Sequence, residues 1–233
     1  MLILAIDSTA TVASVALLRD GKVLSEYTVN AGNTHSVTIL PMIEHMLTVT
    51  QTKLSDIELF AASVGPGSFT GVRIGCATIK GLAHGKDIPC VGVSTLEALA
   101  HNLRGCDGII CPCMNARRGQ VYTAIFEDTP EGIRRLTEDM AISIDELSHM
   151  LSDFEGSVHF CGDGYFLVSH LSENKTPERL TLQSAANVAI VAEKIYGDAP
   201  DKSAFTPAAL NPTYLRKPQA EREREERLRA EGK

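Results

Sequence analysis

The chain has 233 residues, 44% of them hydrophobic, which is enough apolar material for the core of one large or two small globular domains. Its formal net charge of −7 at pH 7 excludes a broad basic surface, so any nucleic-acid role must lean on a partner or a local patch. The longest apolar runs fall well short of the ~20 residues that cross a bilayer, and "MLILAIDST" has no basic segment ahead of its apolar run, which predicts a cytoplasmic protein with no membrane partner.

"LILAID", Leu2 to Asp7, reads as a buried strand ending in Asp-Ser-Thr, residues that turn a chain and present oxygens. "VASVALLRDG" and "KVLSEYTV" flank Asp20-Gly21, a strong hairpin signal, so three antiparallel strands open the chain. In "THSVTILPMIEHMLTVTQ", Ile39, Leu40, Ile43, Met46 and Leu47 recur at helical spacing, with Thr34 or Ser36 as N-cap and Pro41 near the first turn. Strand "IELFAASV" feeds the glycine-rich "SVGPGSFTGVRIG", after which "TGVRIGCATIKGLAHG" reads as a helix closed by Gly85. Within it Gly71 and Gly75, then Ala77 and Gly81, lie four apart, each pair on one face that lets another backbone approach. Strand "IPCVGV" and helix "STLEALAHNLRG" complete the first half.

From Gly108 the order of elements begins again, with strands "GIICPCMNA" and "VYTAIFED" around the turn "RRGQ", then strand "VHFCGDG" and helix "SAANVAIVAEKIYG". This predicts two related α/β subdomains, 1–106 and a smaller, less regular 107–216, followed by a charged tail at 217–233.

The glycine loop admits three readings. Backbone N–H groups at a helix N-terminus bind anions, Ser68 is a candidate nucleophile, and a tight structural turn needs neither. The spacing matches neither G-x-x-x-x-G-K-[ST] nor G-x-G-x-x-G, and "GPGSFTG" is not G-x-S-x-G. The cysteines (Cys76, Cys90, Cys106, Cys111, Cys113 and Cys161) sit mostly in apolar runs, and Cys111-Pro112-Cys113 lacks the paired spacing of a zinc site, so no metal site is expected. His35, His45, His84 and His101 read as capping or exposed residues rather than ligands.

"LAIDSTATVASVALL", "HSVTILPMI", "GPGSFTGVRIG", "KGLA", "VGVSTLEALA", "ARRGQVY" and "PTYLRKPQAE" resemble, in order and spacing, the bacterial TsaB family, also called YeaZ. The resemblance implies an α/β fold of two ribonuclease-H-like subdomains in the actin/Hsp70/sugar-kinase (ASKHA) superfamily. It also implies a role in forming N6-threonylcarbamoyladenosine beside the anticodon of tRNAs that read codons beginning with A. In that family the transfer is made by the paralogue TsaD. The expected role is that of its non-catalytic partner in a heterodimer, joined by the ATPase TsaE, touching tRNA only through the complex, and homodimeric in isolation. ATP or ADP is then expected only within that complex.

Residue by residue, TsaD-like proteins carry a His-x-x-x-His metal motif where this chain has "VSTLEAL", with Thr95 and Leu99 at the histidine positions. Neither side chain replaces an imidazole ligand. Asp7, with Ser8, Thr9, Gly65, Pro66, Gly67, Ser68 and Gly71, corresponds to the superfamily's phosphate-site region; a turn-forming Asx role for Asp7 stays open beside metal holding. Asn115 departs from the Asp that relatives commonly carry before "AR", and Arg117 and Arg118 belong either to the cleft or to a solvated hairpin. The expected partner face comprises Ile39, Leu40, Met42, Ile43, Met46 and Leu47 with Gly71, Gly75 and Ile79, and burial against the chain's own sheet is the competing reading. A glycoprotease-like peptidase and a small-molecule kinase are the alternative functions.

Overall fold

The computed structural model describes residues 1–216. The first sheet has the order β3-β2-β1-β4-β5, built from β1 (Leu2–Asp7), β2 (Ala13–Arg19), β3 (Lys22–Val29), β4 (Leu59–Gly65) and β5 (Cys90–Ser94). The hairpin forms as Asp20-Gly21 predicts, both residues adopting positive φ, and β1 pairs antiparallel with β2 and parallel with β4, Ala5 facing Ala16 and Ala61. Strand β1 is buried on both faces, which is why its sequence is a continuous apolar run rather than an alternating one.

Helices α1 (His35–Val49) and α2 (Phe69–Ala83) cover the face to which Leu2, Leu4 and Ile6 point. The opposite face, carrying Ile3 and Ala5, is covered by α6 (Ala185–Asp198), whose alanines and valines pack on Leu18, Leu59 and Val91. The expected 107–216 subdomain therefore lends its last helix to the first sheet, because that face would otherwise leave an apolar surface in water.

The second sheet runs β10-β7-β6-β8-β9, with β11 pairing parallel to β6. Its strands are β6 (Ile109–Arg117), β7 (Gln120–Thr123), β8 (Phe126–Thr129), β9 (Gly132–Arg135), β10 (Met140–Ser143) and β11 (Val158–Cys161). Its faces are closed by α3 (Thr95–Ala100) on one side and by α4 (Ile144–Leu151) and α5 (Tyr165–Val168) on the other. The run expected as one strand, "VYTAIFED", is broken between β7 and β8, where Ile125 N–H turns to the Thr137 hydroxyl instead of a strand neighbour.

Residues 205–216 form a strap along the first sheet. Cys90 N–H donates to Phe205 O, Thr213 N–H to Val64 O, and Arg216 Nη1 reaches Ala116 O in the second half. Tyr214 stacks on Phe69 at 4.7 Å and accepts a hydrogen bond from Arg73 Nε. The charged tail expected at 217–233 lies outside the described residues. Among those described, no helix is long and apolar enough to cross a membrane.

Candidate functional site

The glycine loop and the first turn of the chain are locked together. Ser68 N–H donates to Thr9 O at 2.6 Å, and Ser68 Oγ caps α2 by accepting Gly71 N–H. A Cβ on Gly67 would lie 2.5 Å from Thr9 O, and one on Gly71 would overlap Ser8 O, so both glycines are required by backbone contact. Two of the amides expected to bind an anion are thus spent within the chain. Ser68 Oγ acts as a helix cap, and no histidine is hydrogen-bonded to it, which leaves the nucleophile reading without a base.

Asp7 is 1% exposed and both its oxygens are occupied: Oδ2 accepts from Ser63 Oγ at 2.5 Å, and Oδ1 from Thr9 N–H and the Thr9 hydroxyl. Burial pushes its carboxyl above the ordinary range, against the lowering effect of the Ser63 and Thr9 donors. The superfamily's metal-bound nucleotide does not fit this arrangement, because the carboxylate that would hold the ion is enclosed by its own neighbours. The Asx-turn reading describes Asp7 as it stands.

Thr95 and Leu99 are both buried. Leu99 packs with Leu96, Leu103, Ile110, Met114 and Phe126, so the region of the TsaD-like histidines is hydrophobic core. The four histidines considered as replacements are dispersed. His35 Nε2 bonds Ala10 O, His45 bonds the Tyr27 hydroxyl, His84 is exposed, and burial lowers the pKa of His101. Among the described residues no group of three or more His, Cys, Asp or Glu is arranged to hold a metal ion. Cys111 and Cys113 lie with their sulfurs 4.0 Å apart inside the core beside Thr123.

The partner-face expectation needs correction. Ile39, Met42, Ile43, Met46 and Ile79 are buried against this chain's own sheet, Leu47 packs on the same cluster, and Gly71 and Gly75 approach Ser8. The helical stripe is what the core uses. Of the named apolar residues only Leu40 stands clear, 52% exposed, and its neighbour Val37 is 66% exposed. Pro41 lies in the interior of α1 rather than its first turn, on the exposed side, where water can reach the carbonyl that its missing N–H leaves unpaired. Ala77 and Gly81 of α2 are also exposed.

Between the two sheets opens a cleft of about 580 Å³. Thr9, Ser68 and the expected Pro66 and Gly67 line one wall; Asn115, Arg117 and Asp163 line the other, and the strap's Tyr214 and Arg216 close the rim. Asn115 Oδ1 accepts Arg117 N–H, its own N–H donates to Asp163, and burial pushes the Asp163 carboxyl up. Arg117 and Arg118 both adopt left-handed φ, +62° and +54°, at the turn the "RRG" sequence predicts. Asp163, Tyr214 and Arg216 are not among the site residues expected from sequence: the first sits in the plain turn "GDG", and the others lie in "PTYLRKPQAE", which carries the family resemblance without pointing to the cleft.

Two α/β layers with a cleft between them, the first sheet ordered 3-2-1-4-5, define a fold that recurs in solved structures of low sequence identity. The activator of 2-hydroxyisocaproyl-CoA dehydratase from Clostridium difficile, solved with ADPNP, shares that fold with a TM-score of 0.50 at 11% identity, covering 86% of this chain and 99% of that one. YeaZ from Pseudomonas aeruginosa superposes with a TM-score of 0.76 at 23% identity, over 92% of this chain and 99% of that one. In sequence, residues 23–223 match the family described as TsaD, tRNA N6-adenosine threonylcarbamoyltransferase. The tRNA threonylcarbamoyladenosine biosynthesis protein TsaB of Bacillus subtilis (strain 168) is 34% identical over 95% of this chain and 96% of its own length. The TsaB of Escherichia coli (strain K12) is 40% identical over 64% of this chain and 65% of its own. The chain belongs to the TsaB (YeaZ) family.

Proposed function

We propose that the chain acts in N6-threonylcarbamoyladenosine formation on tRNA as the non-catalytic partner of a TsaD-type transferase. The observation that carries this reading is the fate of the histidine positions: Leu99 and Thr95 are buried, and Leu99 is part of the hydrophobic core. A chain that has exchanged metal ligands for core retains the shape of the enzyme without its chemistry. The matching relatives named for threonylcarbamoyladenosine biosynthesis support the same pathway.

The heterodimer surface we assign is the outer side of α1 and α2, where Val37, Leu40 and Pro41 of α1 and Ala77 and Gly81 of α2 are exposed. Apolar side chains next to small residues allow a partner helix to approach closely. The same surface serves homodimerisation when TsaD is absent, and TsaE joins the TsaD complex with its ATP or ADP. Contact with tRNA runs through that complex.

The test is reconstitution with TsaD and TsaE. Modified adenosine is expected only when this chain is present, and Leu40→Arg, which alters no buried contact, is expected to abolish both co-purification with TsaD and the modification. Full modification without the chain, or with Leu40→Arg, overturns the reading.

A further inference from the structure

The far end of α2 carries charge that neither the cleft nor the proposed partner face uses. A groove of about 420 Å³ lies between that helix end and the strap, lined by Lys80, His84, Lys86 and Asp87 on the helix side and by Pro207 and Ala208 on the strap side. Lys80 and Lys86 are half-buried, and neither forms an ion pair among the described residues. Asp87 is the one carboxylate lining the groove among the described residues, and it is exposed. In a chain of net charge −7, two unpaired ammonium groups against one carboxylate reverse the local sign.

Lysines near a helix C-terminus commonly satisfy its last carbonyls, and that role is already filled here. His84 N–H donates to Gly81 O and Lys86 N–H to Ala83 O, so backbone amides occupy these acceptors. Lys80 instead points across to the strap, where its Nζ donates to Asn211 Oδ1 at 3.1 Å and to Ala208 O at 3.5 Å. The ammonium is therefore held in place with one N–H left over. The Lys86 ammonium makes no hydrogen bond among the described residues, and Gly85, at φ +70° with open space at its Cβ position, turns the chain so that the groove stays open.

We propose that this groove docks an extended acidic segment of another protein, its carboxylates meeting Lys80 and Lys86 and its small apolar side chains lying on Pro207 and Ala208. His84, Gly85, Asp87, Thr206 and Ala208 are all exposed, so a chain can continue past the groove on both sides. A single small anion there would stay in water, where each ion pair is weak and screened, whereas a segment with several carboxylates engages both ammonium groups at once. Nucleic acid needs a broader basic surface than two lysines in a chain of this charge. The groove contains none of the residues of the proposed TsaD surface on α1, so it stands or falls independently of the partner role.

The experiment is fluorescence anisotropy of the full chain at low ionic strength with a fluorescein-labelled peptide of alternating glutamate and alanine. The same peptide with glutamine for glutamate, and labelled oligothymidylate, serve as comparisons. Saturable binding of the glutamate peptide alone is expected, weakening as salt is added. Lys80→Gln and Lys86→Gln are each expected to weaken it about fivefold, while Lys22→Gln on β3 and Leu40→Arg on α1 bind as wild type. No saturable binding up to about 1 mM, preference for the oligothymidylate, wild-type affinity in both groove variants, or an equal loss in Lys22→Gln or Leu40→Arg overturns the proposal.

Discussion

The carbonyl oxygen of Ser8 occupies the place a Cβ on Gly71 would take, while the Ser8 hydroxyl donates to Gly71 O at 2.9 Å. The turn after β1 and the first turn of α2 are therefore joined backbone to backbone. Gly71→Ala should destabilise the fold by about 3 kcal/mol, since neither backbone can retreat without breaking the Ser68 to Thr9 hydrogen bond. Gly81 in the same helix has open space around its Cβ position, so Gly81→Ala should stabilise by about 0.5 to 1 kcal/mol. Urea unfolding of the two variants checks the pair; equal effects would contradict the assignment of Gly71 to a backbone contact.

Asp7 gives a pH prediction with a definite sign. Its folded carboxyl lies above the usual 3.8, so the folded chain holds the proton more tightly than the unfolded one. Stability is unaffected by this group below the ordinary value and falls as pH rises through the window up to the folded value. Asp7→Asn removes that loss. The Tm of the variant relative to wild type should rise as pH increases above the ordinary carboxylate value of 3.8, whatever constant offset the lost hydrogen bonds impose. A difference independent of pH would show that Asp7 ionises normally.

Restoring one ligand type at the TsaD-like positions should damage the protein. Leu99→His places an imidazole among Leu96, Ile110 and Phe126 and is expected to cost about 3 kcal/mol, with no gain in zinc affinity. Thermal melts with and without zinc measure this; zinc-dependent stabilisation would mean that the region still holds the outline of a metal site.

The strap offers a local readout. Tyr214→Ala removes the stack on Phe69 and the acceptor for Arg73 Nε, a loss of about 1 kcal/mol. Amide exchange should accelerate at Thr213, whose N–H bonds Val64 O, while amides in the middle of β1 stay protected. Uniform exchange across β1 and the strap would instead make them one cooperative unit.

Local signals are clearest where one physical cause dominates. Asp20-Gly21 sets the first hairpin, Ser68 and Gly85 bracket α2, and the buried run of β1 announces a strand covered on both sides. The rest depends on distant contacts. The stripe of Ile39, Ile43 and Met46 has the same spacing whether it meets this chain's sheet or another protein, and only the three-dimensional arrangement decides. Strands β9 and β10 carry little sequence pattern, being four residues each and mostly half-buried, whereas α4 is signalled by the Ser143 and Glu146 capping box and by Leu147 and Leu151 four apart, a signal left unused in the sequence reading. Asp7 reads in sequence as a turn or site residue, but its enclosure rests on Ser63, which is 56 residues away.

The position of α6 also bears on how the chain is made. The first sheet is complete once β5 has left the ribosome, yet the face bearing Ile3, Ala5 and Val91 stays uncovered until residues 185–198 emerge. During synthesis of the whole second half the nascent chain carries an open apolar sheet, the condition that invites chaperones or aggregation. A fragment ending at 106 should therefore be insoluble by itself. Supplying the α6 sequence in trans should recover it, because folding of the beginning of this protein waits for the last helix of the described residues.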